Sequence, residues 1–222
     1  MWGENCIKYI GGQMMKTNKN YIKHVSLSLV AILVLMAILC VPTTETQAKT
    51  NWKKTYSDYL KKDKWCKEAA SSAQLIYINN DNIPEIYLEG AFAAAGNMLL
   101  SIYNGKVYAN MIDGHGGIFY VPKKGLIHEV GGNMDNYFDA VGKLSKGKIK
   151  YTKRGSYGAE DNANLQFDSK GNIIYKYYWQ NKKVSEKTYI ANLKKAKGNY
   201  TYKPAGDYDK MITIDQLKKK LK

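Results

Sequence analysis

The sequence is poor in the residues that hold disulfide-rich or zinc-binding domains together. It has three cysteines and three histidines among 222 residues, and it contains no Cys-x-x-Cys or His-Glu-x-x-His motif. A zinc site needs three or four such ligands. The sequence therefore gives no support for a zinc protein, and the fold depends on other interactions.

The first 48 residues differ in composition from the rest of the chain. Residues 25–41 form an apolar run, VSLSLVAILVLMAILCV, and residues 46–48 (TQA) follow, with small residues at the two positions that a signal peptidase reads. Three lysines precede the run: Lys16, Lys19 and Lys23. A basic start, an apolar centre and a small-residue exit are typical of a secretory signal, so we interpret residues 1–48 as a signal peptide. The run is at the lower limit for crossing a bilayer, and the alternative is a membrane anchor.

The start of translation is a separate question. Residues 10–13 (IGGQ) can be encoded by a bacterial ribosome-binding sequence, and they lie directly before Met14 and Met15. We hypothesise that translation begins at one of these methionines and that residues 1–13 are not translated. The nucleotide sequence tests this hypothesis, because it requires a GGAGG run at the two glycine codons.

Residues 49–222 are expected to form a single exported domain without a disulfide. Cys66 is the only cysteine in this segment, so an intrachain disulfide is excluded and a hydrophobic core must hold the domain together. A chain of this size buries enough surface to do so. Cys66 itself is expected to be a small buried side chain, with a reactive thiol as the alternative. Export without disulfides is typical of Gram-positive bacteria.

Basic residues outnumber acidic ones throughout the exported part. Removal of residues 1–48 takes away four lysines and two glutamates, which leaves 30 basic and 17 acidic residues and a net charge of +13. A broad positive field attracts polyanions. For an exported protein these are anionic cell-wall polymers or the membrane surface, and nucleic acid is not expected because no binding motif is present. The alternative is plain solubility, since lysines also protect strand edges from pairing.

Four glycine turns recur at near-regular spacing and predict a β-meander. Each turn has a polar residue, glycine, any residue and a branched apolar residue, at residues 104–107, 124–127, 146–149 and 170–173. Glycine supplies the positive φ that a tight hairpin needs. We therefore expect an α+β domain with an antiparallel meander of roughly eight to ten strands.

Three helices are expected to flank the meander. The first covers residues 51–62, where Trp52, Tyr56 and Leu60 recur on one face. Two short helices follow the meander. One is capped by Ser185 and runs to about residue 197, with Tyr189, Ile190 and Leu193 on one side; the other starts near Thr213 or Asp215 and covers residues 214–221.

The segment LIYINNDNIPEIYL, at residues 75–88, predicts two strands joined by a polar loop. It resembles the D-x-D-x-D-G-I-P-E-L motif of uncharacterised small exported proteins of anaerobic Gram-positive bacteria. In that motif alternating acidic residues are arranged as in an EF-hand or dockerin calcium loop. The resemblance covers most of the exported part at lower specificity, and it implies fold and location more than activity.

By this resemblance, four residues match calcium-ligand positions: Asn79, Asp81, the carbonyl of Ile83, and Glu85. Calcium takes six to eight oxygen ligands, and its affinity follows the number of charged ligands. The carboxylate at the first position of such a calcium loop, the glycine at the sixth and the glutamate at the twelfth are replaced here by Tyr77, Asn82 and Leu88. The alternatives are a degenerate calcium loop and a strand–turn–strand corner that holds no metal.

Two further groups of residues are candidates for chemistry or binding. Asp113 and His115 could serve as an acid–base pair, with Ser156 or Cys66 as nucleophile, although the spacing does not select them. Tyr175, Tyr177 and Trp179 share one face of a predicted strand. Exposed aromatic side chains stack on sugars or bases, and the alternative is that these three pack inward.

The sequence thus predicts an exported, non-enzymatic binding protein of the cell envelope or extracellular space, associated with anionic wall polymers. The alternative is a small secreted hydrolase that acts on a wall or host polymer through Asp113 and His115. A calcium-stabilised structural module is a third interpretation. No cofactor is expected in any of these interpretations, apart from calcium in the third.

Overall fold

The computed structural model describes residues 51–113 and 115–222. The predicted signal peptide, its cleavage point and the proposed start at Met14 or Met15 lie outside these residues. The described residues belong to one compact unit. Within them, no helix is both long enough and apolar enough to cross a membrane.

The described part of the chain contains four α-helices and two short 3₁₀ segments. The α-helices are α1 (Trp52–Lys62), α2 (Lys64–Glu68), α3 (Glu186–Lys197) and α4 (Ile214–Lys220). The 3₁₀ segments are Ala93–Ala95 and Tyr208–Lys210.

Twelve strands make up the rest of the regular structure in the described residues. The first six are β1 (Ala70–Ile76), β2 (Glu85–Gly90), β3 (Asn97–Tyr103), β4 (Lys106–Ile112), β5 (Gly117–Tyr120) and β6 (Leu126–Asn133). The last six are β7 (Asn136–Ser145), β8 (Lys148–Gly158), β9 (Lys176–Trp179), β10 (Lys182–Val184), β11 (Lys203–Pro204) and β12 (Ile212–Thr213).

The strands form two antiparallel sheets. The first sheet has the order β12-β1-β2-β3-β4, and the second has the order β10-β9-β8-β7-β6-β5-β11. Neighbours in space are mostly neighbours in sequence, as in a meander. The predicted α+β class and its hairpin meander are confirmed, with more strands than expected and with a division into two sheets.

Helices α1 and α4 cover the outer face of the first sheet. Tyr56 and Leu60 of α1 and Leu217 of α4 pack against alternate residues of β1, β2 and β3. The strand residues in this cluster include Ala73, Ile86, Leu88, Met98 and Leu100. Their spacing by two residues is what one face of a sheet requires.

The opposite face of the first sheet packs against the second sheet. Ile76, Tyr87 and Leu99 of the first sheet share a buried cluster with residues of the second sheet. The latter include Ile118, Tyr120, Ile127 and Leu144. Helix α3 then contacts the outer face of the second sheet at β7, β8 and β9. The layers therefore run helices, sheet, sheet, helix.

Local sequence signals predicted most element boundaries. The side chain of Ser185 caps α3, and Thr213 caps α4 through a reciprocal bond with Gln216. The hairpin turns at Gly105 and Gly147 have positive φ, as expected. The prediction for Ile190 was wrong, because its side chain is 57% exposed while Tyr189 is buried.

Two hairpin turns contain no glycine and were not predicted. The β6–β7 turn consists of Met134 and Asp135, and the β9–β10 turn consists of Gln180 and Asn181, all with positive φ. The expected hairpin at Gly171 is reduced to one isolated bridge between Phe167 and Ile173. Helix α2, capped by Asp63, was not predicted.

Candidate functional site

The β7–β8 hairpin contains the twelve-residue segment with the most basic side chains in the described part of the chain. Residues 143–154 hold six basic side chains and no acidic one. The six are Lys143, Lys146, Lys148, Lys150, Lys153 and Arg154. The general excess of basic residues is evident from the sequence, but their concentration in this segment was not predicted.

The strand register places four of these lysines on one face. Lys143 lies opposite Lys150, Ser145 opposite Lys148, and Val141 opposite Lys153. Residues directly opposite share a face and successive residues alternate, and a bulge in β8 opposite Val141 and Gly142 returns Lys153 to the face of Lys150. These lysines therefore lie on the outer face of the second sheet. We call Lys143, Lys148, Lys150 and Lys153 the basic strip.

The charges of the basic strip are not neutralised within the described residues. None of its lysines has a carboxylate oxygen within 4.0 Å there. Like charges directly opposite one another across a strand pair destabilise a sheet. The pairing of Lys143 with Lys150 therefore destabilises the sheet. An anion bound between the two ammonium groups would remove this repulsion.

The basic strip lies beside an open strand edge. Strand β9 pairs only with residues 155–158 of β8, so residues 148–153 have no ladder partner on that side in the described structure. Lysines along such an edge discourage pairing with another chain. They also leave the strip accessible to a long ligand.

The turn at the end of this hairpin is held firmly by the first sheet. The carbonyl of Gly147 accepts hydrogen bonds from Ser101 Oγ at 2.7 Å and from Asn110 Nδ2 at 3.0 Å. The backbone N–H of Ile149 donates to Asn110 Oδ1 at 2.9 Å. The strip is thus presented on a rigid scaffold.

The predicted acid–base pair lies in the connection between β4 and β5. The N–H of His115 donates to Asp113 Oδ1 at 2.8 Å, and His115 Nδ1 lies 3.8 Å from the same oxygen. The His115 side chain is exposed. Among the described residues, no hydroxyl or thiol donates a hydrogen bond to either residue, so no nucleophile is organised there.

The two candidate nucleophiles lie in regular secondary structure, Cys66 in a helix and Ser156 on a strand. Cys66 is buried in α2, and burial raises the pKa of its thiol to about 12. It is therefore a protonated, small core side chain, as expected, rather than a reactive thiolate. Ser156 lies on β8 opposite Phe138 and Tyr178.

The loop from Asn79 to Glu85 uses its side-chain oxygens internally. Asn79 Oδ1 accepts from the N–H of Asp81 at 3.0 Å, and Asp81 Oδ1 accepts from the N–H of Ile83 at 2.9 Å. These are the short-range bonds with which Asn and Asp stabilise turns. Each predicted side-chain ligand thus already has a partner in the loop.

Glu85 is turned into the interior. It is 1% exposed and accepts from the Ile78 N–H at 2.8 Å and from Asn79 Nδ2 at 3.0 Å. Burial raises the pKa of Glu85 to about 8. Within the described residues, no three His, Cys, Asp or Glu side chains are grouped to share a metal ion. The calcium assignment stays a prediction.

The three predicted aromatic residues belong to a larger cluster of rings on the outer face of the second sheet. Tyr177 stacks on Tyr157 with ring centroids 5.5 Å apart, and Trp179 meets Tyr189 of α3 edge to face at 5.7 Å. The Tyr175 hydroxyl donates to Asp135 Oδ1 at 2.7 Å. All three predicted residues are half-buried, so part of each ring stays accessible, and Tyr177 and Trp179 hold α3 on the sheet through Tyr189.

Two buried polar pairs were missed by the sequence analysis. His128 Nε2 and Asp139 Oδ1 are 2.6 Å apart, and Tyr189 donates to the other Asp139 oxygen. On the opposite face of the sheet, the Tyr151 hydroxyl donates to Glu129, and burial raises the pKa of Glu129. The partners are 11 and 22 residues apart in sequence, and only the strand register brings them together.

Comparisons with known protein families, with curated proteins and with solved structures found no match. The site is therefore interpreted from its own geometry.

Proposed function

We propose that this protein is an exported, non-enzymatic binding protein of the cell envelope, and that the basic strip binds anionic wall polymers. The observation that carries the proposal is the cross-strand pair of Lys143 and Lys150, exposed on one face without a neighbouring carboxylate. The expected signal peptide and the net charge support the same location and partner.

The spacing of the strip suits a ligand with repeated negative charges. Lys148 and Lys150 are two residues apart on one strand, which separates their Cα atoms by roughly 7 Å. Lys143 lies on the adjacent strand, about 5 Å away. A flexible polyphosphate chain can reach several of these ammonium groups at once, and each further contact is then intramolecular.

A binding role also agrees with the lack of organised catalytic groups in the described residues. His115 is exposed next to Asp113 but without a nucleophile. His128 is buried, with one ring nitrogen paired to Asp139 and the other without a partner. Neither histidine is arranged to activate a hydroxyl or thiol.

The test is retention of the purified protein on isolated Gram-positive cell walls, with and without their teichoic acid, over a salt series. We expect retention that needs teichoic acid and that falls between roughly 50 and 500 mM salt, because the Debye length shortens over that range. No retention under any of these conditions would reject the proposal.

Two paired variants show whether the strip is responsible. K143Q/K150Q removes two charges from the strip, and K106Q/K124Q removes two exposed lysines elsewhere. A lysine near an anionic surface contributes about 1 kcal/mol, so the strip variant should lose roughly tenfold or more in affinity. Equal losses in the two variants would show that net charge alone drives retention.

The hydrolase alternative is separated from the binding role by H115A. This variant should keep full wall retention. Release of soluble wall fragments by the parent protein, lost in H115A, would favour the hydrolase instead.

A further inference from the structure

A cleft of about 590 Å³ opens where the first sheet meets the second. It lies between the outer edge of β1 and the segments around β5 and β11. In the second sheet, two strands, β5 and β6, separate β11 from β7, the nearer of the two strands that carry the basic strip. The volume is in the usual range for sites that bind small molecules.

The edge of β1 is open at this cleft. Strand β12 pairs only with Ser72 and Ala73 of β1, so the strand beyond Ala73 has no ladder partner on that side in the described structure. The carbonyl of Tyr77 accepts from the Lys123 N–H at 3.1 Å. This bond closes the far end of the opening.

Gln74 places an unused donor at the floor of the cleft. Its side chain is 5% exposed, and its Oε1 accepts from the N–H groups of Gly206 at 2.8 Å and Asp207 at 3.0 Å. Only an oxygen can accept two such bonds, so the amide orientation is determined. The remaining Nε2 group has no acceptor among the described residues.

The Gln74 nitrogen can be reached from the cleft. In the described structure, the one side-chain N or O atom that is fully enclosed and lacks a partner is His128 Nδ1. Gln74 Nε2 therefore retains contact with the open space of the cleft, where a ligand oxygen can meet it.

The other polar groups of the cleft are also donors. Tyr120 is 8% exposed, its hydroxyl has no hydrogen-bond partner among the described residues, and burial raises its pKa. The ammonium groups come from Lys123, Lys203 and Lys210, against a single carboxylate at Asp207 that is paired with Lys210. Such a set of hydrogen-bond donors and ammonium groups is suited to bind a negatively charged ligand that is rich in oxygen.

Flat apolar surfaces flank these donors. Tyr77 is 44% exposed, and Pro122 and Pro204 also line the opening. An exposed tyrosine ring beside an apolar wall is suited to stack on a sugar ring. The cleft thus combines a place for an oxyanion with a place for a ring.

We propose that this cleft binds an anionic monosaccharide unit, with its phosphate or carboxylate held by Gln74 Nε2, Lys123 and Lys203 and its ring on Tyr77. This site is independent of the basic strip. It recognises one sugar unit rather than a run of charges along a polymer.

The experiment is a titration of the purified protein, followed by calorimetry and by NMR shifts of the Gln74 side-chain amide. The probes are glucose 6-phosphate, glucuronate, glucose and inorganic phosphate. We expect one of the two anionic sugars to bind with a Kd of about 1 mM or tighter, and glucose and inorganic phosphate to bind at least tenfold more weakly. Absence of binding by both anionic sugars, or equal binding of phosphate alone, would overturn the proposal.

Q74E is the decisive variant. Glutamate can still accept from Gly206 and Asp207, but it replaces the free donor with an oxygen. We expect binding to fall at least tenfold in Q74E and in Y77A, and to stay unchanged in K143Q/K150Q. Undiminished binding in Q74E, with the fold intact by NMR, would overturn the proposal without affecting the one for the basic strip.

Discussion

His128 Nε2 lies 2.6 Å from Asp139 Oδ1 within the second sheet, and both side chains are buried. The second carboxylate oxygen of Asp139 accepts the Tyr189 hydroxyl at 2.6 Å. Burial and the adjacent Asp139 raise the pKa of Tyr189, so the hydroxyl stays protonated and donates. One carboxylate thereby joins β6, β7 and α3, and the position of α3 depends on a polar contact as well as on ring packing.

Replacing Tyr189 with phenylalanine should destabilise the fold. Y189F keeps the ring in the aromatic cluster but leaves a buried Asp139 oxygen without its donor, which costs about 1–3 kcal/mol. Urea unfolding followed by circular dichroism measures the loss. The control is Y178F, because Tyr178 is 39% exposed and should change the unfolding free energy by less than about 0.5 kcal/mol. Equal effects in the two variants would contradict the assigned role of the hydroxyl.

The stability contribution of Glu85 should fall as pH rises. Its folded-state pKa is raised to about 8 from an ordinary 4.5, so between these values the folded state holds a proton that the unfolded state has lost. Stability is then lost as pH increases through that window, by up to about 1.4 kcal/mol for each pH unit. The measurement is the unfolding free energy of the parent minus that of E85Q, from pH 4 to 9. This difference should decrease as pH rises.

The matched control for Glu85 is E68Q, because Glu68 is exposed at the end of α2. The difference in unfolding free energy between the parent and E68Q should vary much less over the same pH range. A flat difference for E85Q as well would show that folding leaves the pKa of the buried carboxyl unchanged.

The melting temperature should be the same in millimolar calcium and in chelator. The side-chain oxygens of Asn79, Asp81 and Glu85 already accept hydrogen bonds from the loop, and only two of these residues are carboxylates. A site with so few charged ligands binds calcium weakly. Stabilisation by calcium that disappears in D81N would instead establish the degenerate calcium loop.

Asparagine at position 134 should stabilise the β6–β7 hairpin. Met134 has a φ of 47° and a side chain that is 77% exposed, so it bears the left-handed penalty without a packing gain. Asparagine tolerates this conformation, and M134N should raise the unfolding free energy by about 0.5–1 kcal/mol. The same change at Met111, exposed on β4, should give no gain, because asparagine is disfavoured in strands. An equal rise in the unfolding free energy of M111N would show that the gain comes from replacing an exposed apolar side chain rather than from the turn conformation.

Local rules made much of the fold predictable. Ser185 and Thr213 cap helices where their side chains can accept a backbone N–H, and Gly105 and Gly147 turn hairpins because their φ is positive. The turn at Met134 and Asp135 was not predicted because methionine does not favour a positive φ and no glycine accompanies Asp135, a residue type that does tolerate it. There the pairing of β6 with β7 imposes the conformation.

The sequence alone determined the excess of basic residues, the absence of a disulfide in residues 49–222, the α+β hairpin pattern and the polar loop at Asp81. Tertiary structure decided which groups are buried and which share a surface. Glu85 follows the spacing of a calcium ligand, yet two sheets close over it; Lys143 and Lys150 are ordinary strand residues until the register places them side by side. Alternation along a strand specifies two faces, but only packing against another layer selects the face that is removed from water.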